Sequence, residues 1–408
     1  MSTPASGPAL MRWSHEERIL ETFRRHGALS RAELASYAGL SRTTLSEIVG
    51  GLVRRGALQV VATDAESRRG SGRPAELLAL DPRSGQHLGI DLAHNAVHVT
   101  VVDATRRIIA SEKRDADPDL PWARRVRTAL DVLREIEEDG TRFSALQGVG
   151  VGLPGPYSPA WSNDRTLAHT ESLEARRIVE TAIIERFGMA PVMDTNTRLA
   201  ALAEADHRHE LGEDLIYVRV AGGIGGGVVV GGRLVHGSRG LAGEFGHIGV
   251  ADSGRTCSRC GKHGCLETVA SLPSILQSCR ELGLPVQSPA DLSAAVDRDE
   301  PIAASVLSEA GAATGRALAG SVLALNPTAV VVGGPLARFA PVFVERVAST
   351  IAFEVRSIGG AQPRVQASDL GDDGGALGAI LSLVHRSALL AGYPVGDGSS
   401  PSITPMNA

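Results

Sequence analysis

The sequence predicts an α/β protein that begins with a small module of three helices and a hairpin. After residue 86, short β-branched or glycine-rich runs alternate with helical ones, which is typical of α/β architecture. Before residue 81, apolar residues recur at helical spacing between capping residues and glycines. A third observation, a tight cluster of cysteines near residue 260, predicts a metal site.

Length and composition set the class of protein. The chain has 408 residues, which is enough for two or three domains. Its 43% hydrophobic and 21% charged content excludes a disordered or fibrous protein, and 3% aromatic content disfavours stacking on single-stranded nucleic acid. No stretch of 18 apolar residues occurs and residues 1–25 lack a cleavage pattern, so we expect a cytoplasmic protein without a membrane partner.

Charge is distributed unevenly along the chain. The formal net charge is −5, so no chain-wide field attracts polyanions. Only Lys113 and Lys262 are lysines among 41 basic residues, so richness in arginine is by itself no sign of nucleic-acid binding. Residues 24–73, however, hold nine arginines against four acids, and this local excess favours a nucleic-acid partner.

The first two helices are defined by their ends. An apolar stripe through Phe23 stops at Gly27. Ser30 and Glu33 form a capping box that opens a short helix, Arg31 to Tyr37, and Gly39 is placed to end it.

The third helix has two different faces. Ser41 caps it and Gly56 marks its end; its apolar face comprises Leu45, Ile48, Val49, Leu52 and Val53. Small polar residues on the open side at its start let a helix enter the major groove of DNA. The residues that we expect to contact DNA there are Arg42, Thr43, Thr44 and Ser46.

A basic hairpin follows the third helix. Strand-like runs Leu58 to Thr63 and Glu76 to Leu80 flank a glycine-rich segment with three arginines that suit phosphate contacts, Arg68, Arg69 and Arg73. Residues 12–81 are therefore predicted to be a winged helix-turn-helix domain that binds double-stranded DNA. The alternative is that the hairpin is an ordinary solvent-exposed surface feature and that the three helices form a packing module that does not bind DNA. The turn at 81–85 marks the domain boundary.

Residues 86–392 are predicted to form the α/β domain, and the Gly/Ser/Pro-rich residues 393–408 a disordered tail. The strand candidates are Leu88–Leu92, Val97–Asp103, Gly148–Leu153, Val192–Asp194, Ile216–Val220, Val228–Val230 and Ala329–Val332. The helical candidates are Ala123–Glu137, Arg176–Phe187 and Ala303–Leu325.

Four residues predict a structural zinc site: His247, Cys257, Cys260 and Cys265. Three thiolates and one imidazole complete the tetrahedral shell that Zn²⁺ takes in closed sites. His263 is a competing ligand, and Cys279 is left over. Such a site suits a reducing compartment better than a disulfide framework does.

Two segments resemble the signature of the ROK family, which contains sugar kinases and sugar-responsive repressors. They are Leu-Ala-Gly-Glu-Phe-Gly-His-Ile at 241–248 and Gly-Cys-Leu-Glu at 264–267, which closes the cysteine cluster. The resemblance spans about residues 82–390, through glycine-rich segments at 148–156, 224–227, 326–334 and 370–378. It implies an actin-like (ribonuclease H-like) fold of two lobes, with a sugar in the cleft between them. The winged helix is similar to that of the repressor branch.

The resemblance also implies ligands for sugar hydroxyls, namely Glu244, His247 and Glu267. Kinases of the family use an aspartate as general base. When this chain is aligned with the kinase motif without a gap, Asn196 takes the position of that aspartate. An amide can bond sugar but cannot take up a proton. A slip of two residues would instead offer Asp194, and Asn163 is a weaker candidate for sugar contact.

Two phosphate loops also depart from the kinase pattern. Residues 91–95 read Asp-Leu-Ala-His-Asn, so side chains replace glycines where phosphate would approach the backbone. Residues 221–223 read Ala-Gly-Gly where the family has Gly-Thr-Gly. We therefore expect a sugar-responsive repressor that is not an enzyme, acting as a homodimer or tetramer on an operator. The alternatives are an ATP-dependent sugar kinase with a DNA-binding extension and a DNA-binding protein whose large domain only oligomerises.

Overall fold

The computed structural model describes residues 7–63, 76–141, 143, 146–155, 170–208, 214–250, 254–356 and 362–387. The helices are α1 (Gly7–His26), α2 (Arg31–Ala38), α3 (Arg42–Arg54), α4 (Trp122–Glu138), α5 (Thr170–Phe187), α6 (Asn196–His207), α7 (Glu267–Ala270), α8 (Leu272–Glu281), α9 (Pro289–Asp297), α10 (Pro301–Leu325), α11 (Pro335–Phe339), α12 (Pro341–Glu354) and α13 (Gly374–Ser387). The strands are β1 (Leu29–Ser30), β2 (Leu58–Thr63), β3 (Glu76–Leu80), β4 (Gln86–Asp91), β5 (Ala96–Asp103), β6 (Ile108–Asp115), β7 (Leu146–Leu153), β8 (Val192–Thr195), β9 (Leu215–Val220), β10 (Ile224–Val230), β11 (Arg233–Leu234), β12 (Ala329–Gly333) and β13 (Arg364–Ala367).

The amino-terminal module packs α1, α2 and α3 against a sheet of order β1-β3-β2. Ser30 and Glu33 form the predicted capping box of α2, and Gly39 ends this helix with φ 62°. The two predicted hairpin strands are confirmed, whereas the two-residue strand β1 was not predicted. The first helix begins at Gly7, ahead of the expected boundary at residue 12.

The apolar face of α3 is narrower than the sequence predicts. Four of the five expected residues are buried, but Val53 is 36% exposed. Val53 lies one residue after Leu52, about 100° around the helix, so it points away from the module's core.

The α/β part contains two five-stranded sheets, of order β6-β5-β4-β7-β8 and β11-β10-β9-β12-β13. In each sheet three strands form an antiparallel meander and two further strands add in parallel. We call the part built on the first sheet lobe 1 and the part built on the second sheet lobe 2. The repeated topology confirms the predicted two-lobed fold.

Strand β6 was not predicted because its sequence lacks the usual signal. It is an edge strand, and seven of its eight residues are exposed, so no alternation of buried and polar residues marks it.

Helices α6 and α13, which the sequence did not reveal, pack closely together. Helix α13 packs against the sheet of lobe 1, and α6 packs mainly against the sheet of lobe 2 and also contacts that of lobe 1. Residues Gly89 and Gly150 of lobe 1 let α13 approach, because a Cβ at either position would collide with the carbonyl of Ala376 or Ala379. These two helices therefore form the floor between the lobes. Within the described residues, no helix is both long and apolar enough to cross a membrane.

Candidate functional site

The start of α3 presents polar side chains to solvent. Ser41 Oγ accepts a hydrogen bond from the amide of Thr44 at 3.2 Å, which fixes the first turn. Arg42, Thr43 and Ser46 are exposed, but the Thr44 hydroxyl lies 2.9 Å from Ser41 Oγ and contributes to the cap. The hairpin arginines Arg68, Arg69 and Arg73, like Asn163 and residues 393–408, lie outside the described residues.

The structure brings the four predicted metal ligands together. The donor atoms of His247, Cys257, Cys260 and Cys265 all lie within 4.8 Å of one another. Cys260 Sγ is 3.5 Å from Cys265 Sγ, and Cys257 Sγ is 3.6 Å from His247 Nδ1. A tetrahedral ion with metal–sulfur bonds of about 2.3 Å would separate its sulfur ligands by about 3.8 Å. The donor set and its spacing therefore fit one metal ion.

Short hydrogen bonds wrap the chain around this cluster. The amide of Cys257 donates to the carbonyl of Lys262 at 2.8 Å, and Gly261, with φ 71°, donates back to Cys257 at 2.9 Å. His263 lies outside the cluster, with Nδ1 3.3 Å from Thr256 Oγ1. His247 is the histidine that the fold assigns to the cluster.

Two acids lie near the cluster of His247 and the three cysteines. Glu267 opens α7, and its Oε2 accepts a hydrogen bond from the amide of Ile224 at 2.9 Å. Burial raises the pKa of Glu244, and the nearby charge of Glu267 adds to this, against Arg198 and Arg259. Burial also lowers the pKa of His247, although the charge of Glu267 opposes the shift. These three predicted sugar ligands thus share one electrostatic environment.

Arg259 is a residue at this site that the sequence analysis missed. Its Nε lies 3.6 Å from Glu267 Oε1 in lobe 2, and its Nη2 donates to His94 Nε2 of lobe 1 at 3.1 Å. Arg259 therefore connects the two lobes across the cleft, at residues 91–95. Burial and the charge of Arg259 lower the pKa of His94 to about 4. The position of Arg259 between Cys257 and Cys260 was the available signal.

The fourth predicted sugar ligand, Asn196, opens α6 between the lobes. Its Nδ2 donates to Asp91 Oδ1 at 3.2 Å. Asp194, the alternative general base, has both oxygens engaged: Oδ1 accepts from Arg198 Nε at 2.8 Å, and Oδ2 accepts from His236 Nε2 at 2.7 Å. Arg198 is 1% exposed and also donates to the carbonyl of Gly240. Asp194 therefore belongs to a buried ionic network.

Asp91, the last residue of β4, is buried beside the first turn of α6 and is 3% exposed. Burial raises its pKa to about 6, although Arg219 and the amide of Asn196 oppose the shift. The folded protein thus binds a proton at Asp91 more tightly than the unfolded chain does. Its ionisation then destabilises the fold progressively as the pH rises from about 4 through 6.

We expect Asp91→Asn to stabilise the protein by about 1–3 kcal/mol at pH 8, because an amide is never ionised and its oxygen can still accept from Asn196. The gain should shrink at pH 5, where much of the wild-type carboxyl is protonated. Urea unfolding at the two pH values measures this. The control is Asp115→Asn on exposed β6, which should shift stability by less than about 0.5 kcal/mol. An equal effect at both pH values would contradict the burial argument.

Comparisons with known proteins agree with this architecture. Residues 87–387 match the model of the ROK family, and residues 18–62 match the IclR helix-turn-helix domain. The chain is 27% identical over 384 residues to the N-acetylglucosamine repressor of Escherichia coli O6:H1, covering 89% of this chain and 90% of the relative.

Solved structures extend the comparison to the fold. A ROK family transcriptional regulator, a homologue of the E. coli MLC protein, superposes with a TM-score of 0.72 at 21% identity, covering 94% of this chain and 99% of that one. A ROK hexokinase from Thermus thermophilus is 28% identical with a TM-score of 0.59, and covers 73% of this chain and 98% of its own. The hexokinase therefore matches a smaller part of the chain. With its two-lobed domain and amino-terminal helix-turn-helix, this chain belongs to the ROK family.

Proposed function

We propose that this protein is a sugar-responsive transcriptional repressor. The observation that carries the proposal is the presence, in one chain, of a capped and exposed recognition helix and a two-lobed ROK domain. The similarity to a repressor over 89% of the chain supports it, because it includes both parts. In this proposal α3 enters the major groove, and the hairpin arginines Arg68, Arg69 and Arg73 contact phosphates.

The effector is a sugar or sugar derivative bound in the cleft. Glu244, His247, Glu267 and Asn196 bind its hydroxyls, since carboxylates and amides form paired hydrogen bonds with vicinal hydroxyls. His247 faces Cys257 with Nδ1, so Nε2 is the nitrogen available for sugar. One ring thereby connects the metal cluster to the sugar.

A structural zinc ion is proposed for the cluster of His247 and three cysteines. Zinc suits this donor set and tetrahedral spacing, and four protein ligands leave no open position for a catalytic water. The ion would crosslink the loop at 257–265 and so fix His247 beside Glu267.

Three contacts favour a sensor over a kinase. Asn196 offers an amide, and Asp194 is held by Arg198 and His236, so neither is a free base. In addition, the imidazole of His94 and the guanidinium of Arg259 occupy the region of the first phosphate loop. We propose that the cleft keeps sugar binding without phosphoryl transfer.

The proposed mechanism is a population shift in a homodimer or tetramer. Sugar binds one arrangement of the lobes more tightly, this arrangement repositions the recognition helices, and operator affinity falls. A dimer would read palindromic half-sites one helical turn apart, or a multiple of one.

Operator binding tests the first half of the proposal. A duplex is first selected by the wild-type protein from a randomised library. Arg42→Ala should then weaken binding about 5- to 150-fold, because Arg42 is exposed at the start of the recognition helix. Arg134→Ala removes the same charge from an exposed position of α4 and serves as the control. Equal losses in both variants would contradict the assignment of α3.

Sugar binding tests the second half. A thermal-shift panel of pentoses, hexoses, N-acetylhexosamines, disaccharides and sugar phosphates should reveal a stabilising sugar. That sugar should weaken the selected duplex at least about fivefold in wild type and not in Glu267→Gln. ADP release above about 1 s⁻¹ would establish the kinase alternative instead. If no sugar of the panel stabilises the protein, the alternative in which the large domain only oligomerises is favoured.

A further inference from the structure

The DNA-binding module contacts lobe 1 through an arginine in the turn between β5 and β6. Arg106 Nη2 lies 3.0 Å from Glu21 Oε2, and its Nη1 donates to Glu21 Oε1 at 3.5 Å, so both guanidinium nitrogens face the carboxylate of α1. Arg24 of the same helix donates to the carbonyl of Ala104 at 3.3 Å. Helix α1 is therefore docked on this turn.

The turn itself is built to present Arg106. Asp103 Oδ1 accepts hydrogen bonds from the amides of Thr105 at 2.8 Å and Arg107 at 3.1 Å. Arg106 has φ 66°, a left-handed conformation that costs a non-glycine residue roughly 1–2 kcal/mol. The hydrogen bonds of Asp103 offset this strain and fix the direction of the arginine.

On its other side Arg106 faces the end of α6. Its Nη1 lies 4.0 Å from Asp206 Oδ1, in the last turn of that helix. The first turn of α6 lies in the cleft, where Asn196 bonds Asp91 and Arg198 bonds Asp194. One helix of twelve residues, about 18 Å long, therefore joins the proposed sugar site to the contact with α1.

The connection between the module and lobe 1 is short and held at both ends. The amide of Asp81 donates to Ala57 of the module at 3.0 Å, and the amide of Ala104 donates to Pro82 at 3.3 Å. Gln147 of β7 donates to the carbonyl of Ser84 at 3.0 Å. The linker between the module and lobe 1 is thus held by hydrogen bonds. We therefore expect a displacement of α6 relative to the turn to displace α1 as well.

We propose that Arg106 is a positioning residue that couples the cleft to the DNA-binding module through the ion pairs of Glu21, Arg106 and Asp206. A ligand that shifts α6 changes the distance between Asp206 and Arg106, and the guanidinium passes that change to Glu21 and to α1. The biological use of this coupling rests on the proposed function, but the coupling itself is a property of the folded chain.

Hydrogen exchange of the full-length protein tests the coupling without sugar or DNA. The key variant is Arg106→Gly, since glycine adopts the positive φ freely and keeps the turn while removing the guanidinium. The cleft is perturbed by Asn196→Ala. We expect Asn196→Ala to change exchange of amides 18–26 about fivefold or more in wild type, and less than twofold in the Arg106→Gly background.

Two further variants make the result specific. Arg106→Lys keeps the charge and should restore part of the coupling. Arg114→Ala on β6 breaks an exposed pair with Glu135 at 2.7 Å and should leave the response to Asn196→Ala intact. The proposal is wrong if Asn196→Ala changes the hydrogen exchange of the α1 amides equally with and without Arg106. It is also wrong if Asn196→Ala changes that exchange in neither background.

The failure of the proposed function would show separately. If the wild-type protein binds no selected duplex or no sugar, the repressor proposal fails. The hydrogen-exchange comparison of Asn196→Ala with and without Arg106 still decides the role of Arg106. Where both bind, Arg106→Gly should keep each affinity within about threefold but lose the fivefold effect of the sugar on the duplex.

Discussion

We expect the Cys260→Ser protein to lose about one equivalent of metal per chain relative to wild type. Cys260 contributes one of three thiols in the cluster, and serine is a poor ligand for the soft ions that thiolates bind. Because Cys260 is exposed, the substitution opens no cavity, and any loss of stability reports on the metal. Metal analysis by mass spectrometry and thermal unfolding measure the two effects.

The expected destabilisation is large. An ion present at a hundred times its dissociation constant stabilises the folded state by about 2.7 kcal/mol, which corresponds to a melting shift of about 4 °C for a domain of about 300 residues. The control for metal content is Cys279→Ser, since Cys279 lies outside the cluster. Its metal content should equal that of wild type. Full metal retention by Cys260→Ser would exclude the proposed shell.

The second large effect is expected for Asp194→Asn, which should destabilise the protein by about 3–5 kcal/mol. The substitution replaces the carboxylate that Arg198, 1% exposed, contacts at 2.8 Å by a neutral amide. Denaturant unfolding of the single variant and of Asp194→Asn with Arg198→Met should show that the double variant recovers part of the loss, because it also removes the buried guanidinium that Asp194 balances in the wild type.

This contribution depends on pH in a defined direction. Burial acts to raise the pKa of Asp194, but the hydrogen bond from His236 and the charge of Arg198 leave it below its ordinary value. The stabilisation is thus present above about pH 4, the ordinary value of an aspartate, and is lost as the pH falls through the lower folded value. The Asp194→Asn protein should lack this part of the acid sensitivity.

An exposed pair is the control for the buried one. Glu137→Gln breaks the pair with Arg186 at 2.6 Å, where both side chains are at least one-third exposed, and should cost less than about 1 kcal/mol. Equal costs for the two substitutions would mean that burial of Arg198 adds nothing.

Local sequence signals predicted much of the architecture. The caps at Ser30 and Ser41, the stop at Gly39 and the hairpin strands act within a few residues, so the sequence reveals them directly. Helix α6 escaped prediction because both lobes and α13 surround it, and it buries charged residues such as Arg198 and Glu204 along with its apolar ones. Such a helix has no polar face from which its period can be recognised.

By itself, the sequence determined the family of the chain, the capped recognition helix and the four candidate metal ligands, because each depends on residues at short, fixed spacings. Only the tertiary structure decided that Arg259 reaches His94 across the cleft and that Arg106 lies between Glu21 and Asp206. These partners are about 85 to 165 residues apart in the chain, and only the packing of α1 and the two lobes around α6 brings them into contact.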